Sequence, residues 1–202
     1  MDVRTGHIAG IPARLLRIGF VGELGFEIHA PSSQGEALWD ALMTAGKDHG
    51  IRPFGLEAQR VLRLEKGHVI IGQDTDGLTF PAEANMTWAI SRKKPFFVGG
   101  RANQVHESRP LLRKLVGFVI QDPKAPVPEE CHLTLQGNDI VGRVTSAARS
   151  EALGCTIGLA YVAPAQAEIG ATFPIKIGHN RFLEAEVVPL PFYDPDNKRQ
   201  EM

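Results

Sequence analysis

The chain has 202 residues, of which 43% are hydrophobic and 22% charged, a composition that excludes disorder and collagen-like repeats. Its 22 Lys+Arg against 23 Asp+Glu leave a net charge of -1, so nothing draws it broadly to phosphate backbones and nucleic acid is not an expected partner. The longest apolar runs, such as residues 115–120, fall far short of the roughly 20 residues of a membrane-spanning helix. Residues 1–6 lack the basic start and apolar core of a secretory signal. The expectation is a cytoplasmic protein with no membrane partner.

In chain order, Ile11-Pro12-Ala13-Arg14-Leu15-Leu16-Arg17-Ile18-Gly19-Phe20 and Phe26-Glu27-Ile28-His29-Ala30 have period-two character, which predicts two strands joined by a turn over residues 21–25. If Phe26, Ile28 and Ala30 face a core, Glu27 and His29 point the other way. After Pro31, Ser33-Gln34-Gly35-Glu36 fits a capping box, and apolar positions at helical spacing predict an amphipathic helix ending at Gly46. A second helix is expected over residues 56–66, stopped by Gly67. Its inward positions are Leu56, Val61 and Leu64, its outward ones Gln59, Arg63 and Lys66, and Glu57 and Arg60 lie one turn apart.

Residues 72–83 read as a polar loop, 86–90 as a short strand, and 101–113 as a charged helix or linker. The texture then changes to short apolar runs separated by Gly, Asn and Pro, which sets an expected domain boundary near residue 100, giving domains 1–100 and 101–202. Strands are expected at 115–120, 132–136, 140–145, 156–162, 172–177 and 182–188, with hairpin turns at Gly137-Asn138 and Gly178-His179-Asn180. Six short strands without intervening helices indicate a small antiparallel barrel or sandwich. The fold class is therefore α+β.

The seven histidines are scattered and none pairs at i, i+4, so no metal site is signalled. Cys131 and Cys155 stand apart and read as neutral or buried thiols. Phosphate-cradling and dinucleotide-binding glycine motifs are absent, so no flavin site is expected in this chain. Ser146 and Ser150 read as turn residues. What remains in the first half is Glu27, Glu23 and Arg60. A strand carboxylate facing a cleft accepts two parallel N–H bonds from an amidine-like heterocycle edge, and an arginine nearby holds an anionic tail. The alternative reading is solvated surface charge with a Glu57–Arg60 pair.

Several runs carry a family resemblance: Gly22-Glu23-Leu24-Gly25-Phe26-Glu27-Ile28, Leu38-Trp39-Asp40-Ala41-Leu42, Gly55-Leu56-Glu57-Ala58-Gln59-Arg60-Val61-Leu62-Arg63-Leu64-Glu65, Arg143-Val144-Thr145-Ser146, Gly158-Leu159-Ala160-Tyr161-Val162 and Pro191-Phe192-Tyr193. In that order they resemble the aminomethyltransferase (glycine cleavage T-protein) superfamily. Gly72-Gln73-Asp74-Thr75-Asp76-Gly77 and Lys94-Pro95-Phe96-Phe97-Val98-Gly99 are most similar to the C-terminal region of heterotetrameric sarcosine oxidase alpha subunits.

The resemblance implies tetrahydrofolate as the bound cofactor and formation of methylenetetrahydrofolate from an aminomethyl or imine donor. It implies Glu27 on the pterin edge, Arg60 near the folate, Glu23 in the adjoining turn and Tyr193 near the end of the barrel. The family's further N-terminal half of the folate domain, with its catalytic aspartate, has no counterpart here, so no catalytic residue carries over. The expected reading is a component of a folate-dependent one-carbon transfer enzyme, with a protein partner or second copy completing the folate domain. The alternative is a non-catalytic folate-binding or assembly module.

Overall fold

The computed structural model describes residues 2–201. Its residue contacts divide it into one unit running to Arg63 together with the stretch from Asp196 onward, and a second unit, Leu64–Pro195.

The first unit holds a three-stranded antiparallel sheet of β1 (Asp2–Ile8), β2 (Ile11–Arg17) and β3 (Glu27–His29), in that order. The predicted pair at β2 and β3 is present, with Arg14 opposite His29 and Leu16 opposite Glu27. β1 has no counterpart in the sequence reading, because its residues are exposed almost throughout and it is held by backbone pairing rather than by a buried face. The strand parity is as read, with Ile28 half-buried between exposed Glu27 and His29. Phe26 corrects it, since it is 52% exposed and lies just outside β3.

Helix α1 (Gly35–Gly46) buries Leu38. Its expected capping box is not formed: a 3-10 turn at Ser32–Gln34 precedes the helix, and no side chain caps it. Helix α2 (Leu56–Glu65) runs up to Gly67, whose φ of +71° ends it in the left-handed region. The inward and outward assignments need correcting at both ends. Leu56 is 74% exposed, whereas Arg63 and Lys66 are buried, at 2% and 7%. The periodicity places the face but not the partners that make burial of a charge tolerable.

The second unit opens with the loop region expected over residues 72–83. The strand expected at 86–90 is instead a 3-10 turn, Thr87–Ala89, since a five-residue apolar run has no fixed period of its own. Helix α3 (Gly100–Glu107) follows. Then come β4 (Lys114–Ile120), β5 (Leu133–Gln136), β6 (Asp139–Ser150), β7 (Cys155–Val162), β8 (Thr172–Gly178) and β9 (Arg181–Val188). All pairings are antiparallel, and the six strands close into a barrel in the order β4-β7-β6-β5-β8-β9.

Every residue of β7 is buried, and the two-residue alternation explains how. One set, including Ala160 and Val162, joins Val116, Phe118, Val144, Phe173 and Ile175 in the barrel interior. The other set, Ile157, Leu159 and Tyr161, packs outside the barrel with Leu64, Leu115 and Phe192. Inside, the Phe118 and Phe173 rings meet edge to face at 5.8 Å, a geometry worth about 0.5–1.5 kcal/mol beyond area burial. Glycines make room at the tightest points: a Cβ on Gly158 would lie 2.3 Å from the Phe118 ring.

Ser146 and Ser150 are not turn residues. Both lie in β6, with 2% and 0% exposure, because each hydroxyl finds a buried carboxylate. Cys131 is exposed with φ +69°, and Cys155 is buried; both are free thiols. Burial pushes the Cys155 thiol above its ordinary value.

Candidate functional site

In the first unit, β3 presents Glu27 at the sheet surface. Its Oε2 lies 3.2 Å from His29 Nε2, two residues on, with both side chains more than half exposed. No described residue donates to the second oxygen, Oε1. Arg60 on α2 bonds Glu57 at 3.4 Å and keeps 57% side-chain exposure, so most of its guanidinium fork is open. Glu23 follows a different course: its carboxylate pairs with Arg199, and the Leu24 N–H donates to the Arg199 carbonyl at 3.1 Å. Arg17 donates to the Gln200 carbonyl at 3.3 Å. The C-terminal stretch is thereby tied to the turn that carries Glu23.

Tyr193 belongs to the second unit, where its N–H donates to the Glu65 carbonyl at 2.9 Å. Lys66 donates to the Asp194 carbonyl at 2.7 Å and sits 3.4 Å from its carboxylate, with side chains 5% and 11% exposed. Glu65 in turn accepts the Ser150 hydroxyl at 2.6 Å. The start and the end of this unit are therefore bound side by side.

The polar centre of the second unit was not singled out from the sequence as a site. Asp74 is fully buried. Its Oδ1 accepts the Thr145 hydroxyl at 2.6 Å and the Ser146 hydroxyl at 2.5 Å, its Oδ2 accepts the Ile70 N–H at 2.8 Å, and its carbonyl accepts the Tyr161 hydroxyl at 2.9 Å. Burial raises the Tyr161 phenol above its ordinary value, so it stays protonated as the donor. Gln73 beside it donates toward the Thr145 carbonyl, the Ser146 hydroxyl and Glu130. The Arg113 guanidinium stacks 4.6 Å from the Tyr161 ring centroid and bonds Glu83 at 3.4 Å. At the surface, the Thr79 hydroxyl and the Leu78 N–H hold the Asp76 carboxyl below the usual range. This network fastens the loop after α2 to the barrel strands β6 and β7. The available signal was the pair of acids between Gly72 and Gly77 together with the two hydroxyls of Val144-Thr145-Ser146.

The family model described as the GCVT N-terminal domain matches residues 1–94, and that of the glycine cleavage T-protein C-terminal barrel domain matches residues 113–194. An aminomethyltransferase of Halothermothrix orenii is 38% identical over 93% of this chain and 52% of its own length. A sarcosine oxidase subunit alpha of a Corynebacterium species is 36% identical over 96% of this chain and 21% of its own length. A trimethylamine-oxide aldolase of Ruegeria pomeroyi is 38% identical over 97% and 25%. The crystal structure of the glycine cleavage system aminomethyltransferase T from Bartonella henselae superposes with a TM-score of 0.81 at 28% identity, covering 90% of this chain and 50% of that one. The chain thus spans about half the length of the aminomethyltransferases it matches and a smaller share of the oxidase and aldolase chains. The two family models in their order, the closed antiparallel barrel and the superposition agree: the chain belongs to the aminomethyltransferase (glycine cleavage T-protein) superfamily.

Proposed function

We propose that the chain serves folate-dependent one-carbon transfer, as the segment of a sarcosine oxidase alpha-like or aminomethyltransferase protein that contributes the Glu27 side of the tetrahydrofolate site. The observation that carries the reading is the Glu27 carboxylate, exposed on β3 with Oε1 open to a donor. A carboxylate in that state accepts N–H groups from the amide and amino edge of a pterin, with the charge-assisted strength of such bonds. Arg60, with most of its fork unengaged, supplies positive charge for the anionic part of the ligand. Glu23 and Tyr193 complete the proposed set, Glu23 with its carboxylate already paired to Arg199. The chemistry asked of these residues is positioning: fixing the pterin fixes N5 and N10 against the incoming one-carbon unit, which removes orientational entropy from the barrier.

Calorimetric titration of the chain with tetrahydrofolate under reducing conditions tests this reading. Saturable binding is expected. Glu27→Gln is expected to weaken it by about 1.5–3 kcal/mol, the value of a hydrogen bond to a charged group. Equal affinity in the variant removes Glu27 from the site, and no binding by the wild-type chain defeats the reading.

We further propose that a protein partner or a second copy completes the site. Supporting this, Ile71, Leu78, Trp88, Phe96, Val98 and Leu112 of the second unit are each at least 76% exposed, large apolar side chains that a partner's surface would take out of water. Sedimentation of the purified chain is expected to show self-association or retention of a partner. A compact monomer at micromolar concentration refutes this part.

A further inference from the structure

The two edges of the small sheet differ. β3 is three residues long and is followed closely by Pro31, the short form in which an edge offers little to another chain. β1 is seven residues long, exposed from Asp2 to His7, without proline or lysine, and its register with β2 runs unbroken to Ile8. Among the described residues only β2 pairs with it, so its far side is a row of backbone groups turned to solvent. The hairpin turn decides which groups those are. Ala9 and Gly10, with φ of +50° and +80°, join Ile8 to Ile11, the primed two-residue turn that closes on a hydrogen-bonded pair. Alternation along the ladder then points the N–H and C=O of Ile8, Gly6, Arg4 and Asp2 toward β2, and those of His7, Thr5 and Val3 outward. Pro12, opposite His7, agrees with this phase, because it has no N–H for a hydrogen-bonded pair. The Val3 N–H has the Asp2 carboxylate as a substitute acceptor at 2.9 Å, and Arg4 neutralises Asp2 at 3.0 Å. The N–H groups of Thr5 and His7 have no such substitute among the described residues.

We propose that two copies of the chain pair through these edges, β1 against β1 and antiparallel about Thr5, into one continuous sheet of order β3-β2-β1-β1-β2-β3. The inference rests on the reading that a second copy joins the chain, and names the contact; it needs no ligand. Centred on Thr5, the pairing sets Thr5 against Thr5 and Val3 against His7 of the second copy, so each outward N–H meets an outward C=O. Between them Arg4 faces Gly6 and Asp2 faces Ile8, and no like charges stand opposite each other. Gly6, with open space where a Cβ would stand, leaves room for the Arg4 side chain of the other copy. Centring one residue earlier would put Arg4 against Arg4, and one residue later would carry Val3 past the end of the strand, so the edge is self-complementary in this register. The row Val3, Leu16 and Glu27 shares one face of the sheet. The two-fold axis crosses the sheet plane, so both copies present Glu27 on the same side.

Amide hydrogen exchange of the full chain over a dilution series, alongside sedimentation, tests the pairing. Where the chain sediments as a dimer, the Thr5 and His7 amides are expected to be protected roughly tenfold or more and to lose that protection on dilution. The Arg4 and Gly6 amides, bonded to β2, keep theirs throughout. Thr5→Pro removes an outward N–H and no bond to β2, a position in which an edge strand accepts proline. It is expected to raise the dimer dissociation constant roughly tenfold or more while the circular dichroism of the wild-type chain is retained. Thr5→Val, which keeps the backbone donor, is expected to dimerise as before. A chain that stays monomeric at all concentrations overturns the proposal and the second copy with it. A dimer whose Thr5 and His7 amides exchange freely, or a folded Thr5→Pro chain that associates as the wild type does, overturns the edge pairing alone and moves association to another surface. If Thr5→Pro does not fold, exchange in the unsubstituted chain decides.

Discussion

Asp74→Ala is expected to destabilise the second unit by about 3–5 kcal/mol, the cost of breaking a buried charged network from one side. The carboxylate is the common acceptor for the Thr145 and Ser146 hydroxyls and the Ile70 N–H. Removing it leaves those donors in a site that water does not reach, because Asp74, Thr145 and Ser146 are each at most 2% exposed. The hydroxyl of Thr145 has a fallback in the Leu159 carbonyl at 3.2 Å. For the Ile70 N–H no second acceptor stands ready among the bonds of this loop. Asp74→Asn, which keeps the shape and one acceptor oxygen, is expected to lose roughly half as much. Urea unfolding of the full chain followed by circular dichroism measures both. A loss below about 1 kcal/mol for the alanine variant would show that the loop is held by packing alone.

The second large effect is expected at Gly142 in β6. A Cβ there would lie 2.1 Å from the Tyr161 carbonyl oxygen and 2.9 Å from the Thr134 hydroxyl oxygen. That carbonyl already accepts the Thr134 hydroxyl at 2.6 Å, so the added carbon meets backbone held in place rather than the free end of a side chain. Gly142→Ala is expected to cost about 3 kcal/mol or more, at the upper end of overpacking penalties. Gly35→Ala is the control: its added Cβ meets nothing within 4 Å and its φ of −61° is helical. That variant is expected to be neutral or slightly stabilising. Comparable melting temperatures for the two variants would show that the barrel yields at β6.

These two sites mark where reading the sequence reached its limit. The barrel strands were legible because each apolar run ends at a Gly, Asn or Pro within eight residues or so, and the hairpin turns at Gly137-Asn138 and Gly178-His179-Asn180 join β5 to β6 and β8 to β9. The orientation of Glu27 was legible from the alternation of residues 26–30. β1 was not, because an exposed strand leaves no hydrophobic period to read. Ser146 and Lys66 were misread for a different reason. Their surroundings look like a turn and a solvated helix end, and the groups that justify burying them lie 72 residues away at Asp74 and 128 residues away at Asp194. The pairing of Glu23 with Arg199 spans 176 residues and was equally out of reach. Periodicity reports which side of an element meets a core; it carries nothing about which polar groups meet each other inside.

The binding of Glu65-Lys66 to Tyr193-Asp194 has a consequence for the topology of the chain. The second unit is an insertion: the polypeptide leaves the first unit after Arg63 and resumes it at Asp196. The two ends of that insertion are held within hydrogen-bonding distance. An insertion whose own ends are held together is the kind best tolerated, since the chain of the host has only a short gap to close whatever the length of the inserted segment. These ends are fastened by an ion pair, one backbone bond and one lysine-to-carbonyl bond, and their pairing is therefore indifferent to the redox state of the surroundings.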